Sequence, residues 1–454
     1  MDRIKRFFEP SPAYAPIDTA PHEEEEDDSS SQTLEDSEEQ PFSWLEYSIF
    51  LLLGVAMLWA WNMFLAAAPY FQSRFKNDKW ILNHFQAAEI SVSTITNLLS
   101  MVVLSKMQKN ASYPKRICAS LVINAICFTI LAISTLVKTS AGVYFGFLLV
   151  AIFAASLSTG LIQNGLFAFA SGFGRGEYTQ AIMTGQAVAG VLPPLTQIIS
   201  VVVTSKPGQS AGAAAANNTS AFIYFITATV ISVLALLAFF YLLRRNAQAE
   251  ALRSAKDTTV HGTGEGDMAA SYHSSASTSE RATVGLYTLF CKLPFLSLGV
   301  FTCFAITMIG FPVFTASIFS VSGIDSAIFI PLAFLVWNVG DLFGRLVTIS
   351  PKLSLTHYPF ALFCISGARL VFIPLYFLCN IKERGAVVAS DFFYLFVVQF
   401  LYGLTNGYVG SECMMGAGEW VGPEEREAAG GFMGLMLVGG LTAGSLLSFA
   451  LGDV

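Results

Sequence analysis

The chain has 454 residues, of which 54% are hydrophobic and only 13% charged. Soluble domains carry about 25% charged residues, so this composition excludes a water-soluble globule and points to an integral membrane protein. The formal charge of −7 says little about partners, because much of it lies in one segment, His22 to Gln40. Residues 1–40 hold too little apolar surface to pack and are expected to form a disordered cytosolic tail. Ser29, Ser30 and Ser31 adjoin its acids, as a sorting or phosphorylation segment or a merely solvated one would have them. Apolar runs follow near 44–70, 83–105, 114–138, 141–171, 178–203, 220–243, 293–319, 326–349, 356–380, 389–415 and 428–450. Each is long enough for a helix that crosses a bilayer, which takes roughly 20 apolar residues. With no cleavable leader legible ahead of it, the first run is expected to act as the targeting signal. Asn246 to Leu286, rich in Ser, Thr, Ala and Gly, interrupts the series and reads as a flexible polar loop. The expectation is an all-α membrane protein of about 11 transmembrane helices. It divides into a six-helix bundle (41–245), a cytosolic connector (246–288) and a five-helix bundle (289–454).

Lys and Arg in short loops set orientation. Lys106, Lys109, Lys115 and Arg116 follow the second run, and Arg244, Arg245, Arg253 and Lys256 follow the sixth. A cytosolic placement for both clusters makes the N-terminus cytosolic and the C-terminus extracellular or lumenal, although Arg74, Lys76 and Lys79 then fall outside. The acceptor sequons at Asn217 and Asn218 would face the lumen, and the one at Asn110 the cytosol. The seven cysteines are scattered, with no CxxC pair, and indicate neither a disulfide framework nor a zinc site.

The helices carry marks of close packing and of breaks. Gly185, Gly190 and Pro193–Pro194 are expected to interrupt the fifth, and Gly310 with Pro312 the seventh. The last holds Gly430, Gly431, Gly434, Gly439, Gly440 and Gly444. Small residues let backbones approach, which alone would explain the glycines, while broken helices around a cavity are a transporter feature. The sharpest signal is WNVGDLFGR, Trp337 to Arg345. Asp341 and Arg345 stand at i and i+4 on one helical face and can neutralise each other. A charge at membrane depth costs about 2.5 to more than 10 kcal/mol, so the pair either lines a polar pathway or ties a helix in register. No HExxH, no Ser-His-Asp constellation and no GxxxxGK[ST] is legible, and the five histidines lie in loops or near run ends. An enzyme and an ATP-driven pump are therefore disfavoured; no cofactor, metal or nucleic-acid partner is expected.

Several of these segments together resemble the equilibrative nucleoside transporter family. They are GVAMLWAWNMFLAAAPYF, STGLIQNGLFAFAS, AIMTGQAVAGVLPP, FLVWNVGDLFGRLVT, ARLVFIPLYFLCNIKER, NGYVGSECMMGAG and EEREAAGGFMGLMLVGGLTAGSLLSF, in order over essentially the whole membrane region. The resemblance implies a fold similar to the major facilitator transporters, with two bundles rocking about a central site. It implies facilitative, ATP-independent transport of nucleosides, or of nucleobases as well, across a eukaryotic plasma, vacuolar or lysosomal membrane. Trp61 matches a residue that packs on the nucleobase, and Gln163 one that reads its polar atoms. Asp341 and Arg345 match a pair that contacts ribose, with Asn338 lining the same face. Leu65 falls where some relatives have a pocket-lining Met. Asn62 and Leu441 match outer-gate positions, and Arg369 a structural or gating one. Away from the resemblance, Trp61 reads rather as an interfacial or packing residue, and Gln163 as a helix–helix hydrogen bond. Glu412 and Glu89 are acids at membrane depth that would suit proton coupling, or would pair with a base such as Arg369. The alternatives are thus a proton-coupled nucleoside transporter, or a major-facilitator carrier of another small polar solute.

Overall fold

The computed structural model describes residues 42–108, 111–204, 218–260 and 284–451. The acidic tail, Asn110, Asn217 and residues 261–283 of the connector lie outside them. The described chain is almost entirely helical. Its spanning elements are α1 (Trp44–Phe75), α2 (Lys79–Lys106), α3 (Tyr113–Ser134), α4 (Ala141–Ser171), α5 (Gly176–Thr204), α6 (Asn218–Val260), α7 (Pro294–Ser317), α8 (Ser326–Val347), α9 (Pro359–Phe377), α10 (Leu401–Gly416) and α11 (Arg426–Leu451). Ten of these regions are long and apolar enough to cross a membrane. The other, α10, follows directly on a π-helical segment, Phe393–Phe400; together they complete the eleven expected from the sequence. The helix starts follow local chemistry. Asp78 accepts from the N–H groups of Trp80 and Ile81 at 3.1 Å each, capping α2. Pro294 and Pro359 open α7 and α9, where a missing N–H costs nothing.

Two local expectations change. The connector does not begin at Asn246: α6 continues as helix to Val260. The proline pair does not break α5, which runs unbroken through Pro193 and Pro194. Pro193 has no N–H to give the carbonyl of Ala189 one turn back, and Asn62 Nδ2 donates to that carbonyl instead, at 2.7 Å. A side chain of α1 thereby satisfies the backbone group that the proline leaves open. In α7 the expected break is present, with one helical segment ending at Gly310 and a short one starting at Val313.

Helices α1–α6 and α7–α11 form two bundles that meet along α5–α8, α5–α10, α4–α11 and α2–α11. We call the end where α1 starts the near face and the opposite end the far face. Buried apolar residues of both bundles merge into one cluster in the near half, including Phe50, Phe167, Met183, Val300, Val409 and Met433. In the far half they separate. One cluster there (Phe64, Phe85, Phe128, Phe225) belongs to the first bundle, and another (Phe314, Phe329, Tyr376, Tyr402) to the second. The bundles are thus sealed together by a common core at the near face and packed independently at the far face.

Within the second bundle, α8 and α10 touch backbone to backbone. A methyl on Gly340 or Gly344 would overlap the carbonyl of Phe400 or Leu404; one on Gly403 or Gly407 would overlap that of Trp337 or Asp341. Both helices carry the small-xxx-small spacing that permits this approach. Gly407→Ala is therefore expected to lower the melting temperature of the purified protein by on the order of 5 °C, the overpacking penalty of a filled seam. Gly367→Ala, which meets open space, should leave it unchanged or raise it. Equal melting temperatures for wild type and Gly407→Ala would contradict the seam.

Candidate functional site

The glycine seam decides what surrounds Asp341. Because α10 lies against α8 at Gly407, the adjacent Asn406 places its Nδ2 2.6 Å from Asp341 Oδ1. Arg345, one turn along α8, donates from Nε to Asp341 Oδ2 at 2.9 Å. The two charged residues are 2% and 5% exposed, and their neutralisation is what makes such burial tolerable. Arg345 also reaches across to the first bundle. Its Nη1 donates to the carbonyl of Met183 and lies 3.4 Å from Gln186 Oε1. Its own carbonyl accepts from Gln180 Nε2 at 2.8 Å. Among the described residues its Nη2 makes no hydrogen bond, and each carboxylate oxygen of Asp341 has one donor where it can take two. The pair is secured yet keeps donor and acceptor capacity in hand.

The network continues behind Asp341. Asn406 Oδ1 lies 2.7 Å from Thr307 Oγ1 on α7, which accepts from Arg369 Nη2 at 2.7 Å. Arg369 is 2% exposed and, among the described residues, pairs with no carboxylate. It donates to the carbonyls of Cys303 at 2.5 Å and Tyr402 at 3.3 Å and to Thr405 Oγ1 at 3.2 Å, and sits 4.9 Å from the Tyr402 ring centroid. It therefore ties α9 to α7 and α10 through neutral acceptors and a ring face.

Trp61 is half-buried on α1. One turn before it, Met57 Sδ receives Gln186 Nε2 at 2.9 Å, and Gln186 contacts Arg345. Trp61 and Met57 share a helical face, so the indole stands one turn farther toward the far face than the residues around Arg345. Leu65, a further turn on, is 51% exposed. Asn338, one turn before Asp341 in α8, bonds the carbonyl of Phe334 at 2.8 Å and turns its Oδ1 toward Gly190 of α5.

Among the described residues, the other sequence candidates make no hydrogen bond to the pair. Gln163 is buried on α4 beside Gly434 of α11, and its Oε1 has no hydrogen-bond partner. Asn164 beside it is engaged by Arg116 and by Ser105 at 3.2 Å. Leu441 packs against the shared near-half cluster. Glu412 does not pair with Arg369: its Oε2 accepts from Leu355 N–H at 2.7 Å and Ser354 Oγ at 2.9 Å, holding the α8–α9 loop. Glu89 is 5% exposed on α2, with its Oε1 unpartnered. Gln180, Gln186, Thr307 and Asn406 were not singled out from the sequence. The cue for two of them was present: Gln186 follows Gly185 and Asn406 precedes Gly407, each a polar residue beside a packing glycine in an apolar run.

Two helical bundles, with a neutralised charge pair of α8 facing their junction, make up a fold of the major-facilitator architecture. Residues 148–452 match the family model described as nucleoside transporter. The chain is 31% identical over 441 residues to nucleoside transporter FUN26 of Saccharomyces cerevisiae, with 89% of this chain and 83% of that one covered. It is 27% identical over 456 residues to equilibrative nucleoside transporter 1 of Homo sapiens, with 88% and 95% covered. The chain belongs to the nucleoside transporter family. Among solved structures, the human organic anion transporter MFSD10 superimposes with a TM-score of 0.58 at 13% identity, covering 90% of this chain and 93% of that one. The proton:xylose symporter XylE does so at 0.56 and 14%, covering 90% and 87%. These two similarities are similarities of fold.

Asp341→Asn and Arg345→Gln should each destabilise the protein strongly, since removing one partner of a buried pair costs about 3–5 kcal/mol. The double variant should lose clearly less than the sum. Thermal or denaturant unfolding of the four proteins measures the coupling; strictly additive losses would show that the two side chains do not compensate each other.

Proposed function

We propose that this chain carries nucleosides across a membrane by facilitative alternating access, without ATP, and that Asp341 and Arg345 bind the ribose. The observation that carries this reading is the spare bonding capacity of the pair. A vicinal diol can donate to the free acceptor sites of the carboxylate and accept from Arg345 Nη2, which bears no partner. A neutral sugar is thus bound by a neutral pair, with no net charge left in the membrane. Trp61 supplies a flat indole for either base type, and base–aromatic stacking contributes roughly 1–3 kcal/mol per base in nucleic-acid systems. Gln163 offers both a donor and an acceptor to a heterocycle, and its unpartnered Oε1 suits that role. Asn338 and Leu65 would line the pocket. Asn62 and Leu441 would act at the outer gate, Asn62 while also serving the Ala189 carbonyl. The near face is read as cytosolic, which places both termini as the Lys and Arg clusters require.

One observation favours proton coupling as a second reading: Glu89 and Glu412 are buried acids whose Oε1 atoms have no partner among the described residues, and Glu412 alone is tied by its Oε2 to the α8–α9 loop. In proteoliposomes, facilitated transport brings a ribonucleoside to equal concentrations on both sides under any pH gradient. Accumulation above equilibrium that Glu89→Gln abolishes would replace simple facilitation with coupling.

Asp341→Asn should raise the KM for ribonucleosides by at least about tenfold, because hydrogen bonds to a charged group contribute about 1.5–3 kcal/mol and 1.4 kcal/mol is tenfold. A 2′,3′-dideoxynucleoside should be a poor ligand of the native protein and lose little more in the variant. Gln163→Ala should instead lose discrimination among bases while keeping the demand for hydroxyls. Equal native affinity for ribo and dideoxy forms would return Asp341 and Arg345 to a structural ion pair. Orientation is tested by gel shift after glycosidase treatment. Asn217→Gln or Asn218→Gln should remove a glycan and Asn110→Gln should not; a glycan on Asn110 would invert the topology.

A further inference from the structure

The seam between α5 and α8 is one of the contacts by which the two bundles hold each other at the near face. Among the described residues three hydrogen bonds cross it, and all three involve Arg345: from Gln180 Nε2 to the Arg345 carbonyl, and from Arg345 Nη1 to the Met183 carbonyl and Gln186 Oε1. Gln180 is 1% exposed, and its amide is used at both ends. Its Oε1 accepts from Tyr47 of α1 at 2.6 Å, and its Nε2 lies 2.9 Å from Thr184 Oγ1 as well as 2.8 Å from the Arg345 carbonyl. That carbonyl is in the last turn of α8, where no backbone N–H of the helix is left for it; Thr348 Oγ1 donates to it at 2.7 Å, and Gln180 Nε2 is its second donor. Gln180 therefore caps the end of α8 from the opposite bundle while being held in place from α1.

We propose that Gln180 is a positioning residue that latches the near face shut through Arg345, and so sets the balance between far-open and near-open states. The inference rests on the alternating-access reading and adds what biases it. Opening the near face pulls α5 away from α8, which separates Gln180 from the Arg345 carbonyl and Arg345 Nη1 from Met183. Water entering the opened vestibule can take over both groups, so the latch opposes opening without forbidding it. The residue that receives the latch also holds Asp341. Rearrangement at the ion pair is thereby transmitted to the near-face seal through a single side chain, with no requirement for motion along an intervening chain of residues.

Cysteine labelling in nanodiscs, where both faces meet solvent, tests this without any substrate. On a background lacking the native cysteines, Ala429→Cys reports the near half, since Ala429 is fully buried in the shared cluster. Leu65→Cys reports the far half. Gln180→Leu should raise maleimide labelling at the near-half reporter about tenfold, which corresponds to about 1.4 kcal/mol, and lower it at the far-half reporter. Gln180→Met, unbranched like the native side chain, should do the same and serves if the leucine variant folds poorly. Thr184→Val touches the same amide but leaves the bond to Arg345, and should move neither rate. Unchanged labelling at both reporters in folded Gln180 variants would overturn the proposal. So would a rise at both, which marks loosening rather than a shift between states. A protein that carried some other solute would give the same labelling result, so this test and the nucleoside reading fail separately.

Discussion

The structure turns on one constraint: a carboxylate and a guanidinium stand where the surroundings supply almost no water, so every bonding site they use must come from protein. Asp341 meets it with one donor per oxygen, from Asn406 and Arg345. That arrangement exists only because α8 and α10 approach to backbone contact, which four glycines permit. The same approach fixes Asn406 against Thr307, and Thr307 against Arg369. Asp341 lies at the middle of a hydrogen-bonded chain from α9 through α7, α10 and α8 to α5. Packing geometry and site chemistry are here the same feature.

The asymmetry between the two halves of the molecule gives that chain a mechanical setting. The near half holds one apolar cluster built by both bundles, and the far half two clusters that do not merge. Arg345 sits at the junction. Toward α8 it completes the ion pair, and toward α5 it is part of the contact that joins the bundles. A ligand that bonds the pair acts on a residue already shared between binding and closure. Such a residue offers the differential contact between states that any ligand-dependent shift in population requires.

Much of this was legible in the sequence. Runs of about 20 apolar residues gave the spans, and the i, i+4 spacing of Asp341 and Arg345 gave the ion pair. The break at Gly310 and Pro312 was also readable. Other features were not, for identifiable reasons. Pro193 and Pro194 look like a helix break, yet α5 continues because Asn62, on another helix, takes the orphaned Ala189 carbonyl. The π-helical Phe393–Phe400 segment is apolar apart from Tyr394 and Gln399 and offers no periodicity to betray its winding. The extension of α6 to Val260 runs through polar residues whose helix propensity is adequate, although their composition suggests a loop. At the site, Asn406, Gln180 and Gln186 escaped notice because a lone amide in an apolar helix says nothing about which neighbour it will meet. Their roles follow from the partner across the seam, which is tertiary information.

A high-resolution structure with a bound ribonucleoside tests the central assignment most directly. The account predicts ribose hydroxyls within hydrogen-bond distance of the Asp341 carboxylate and Arg345 Nη2, with the base against the Trp61 indole. A ribose bound elsewhere, with Asp341 and Arg345 keeping only their present protein partners, would contradict it.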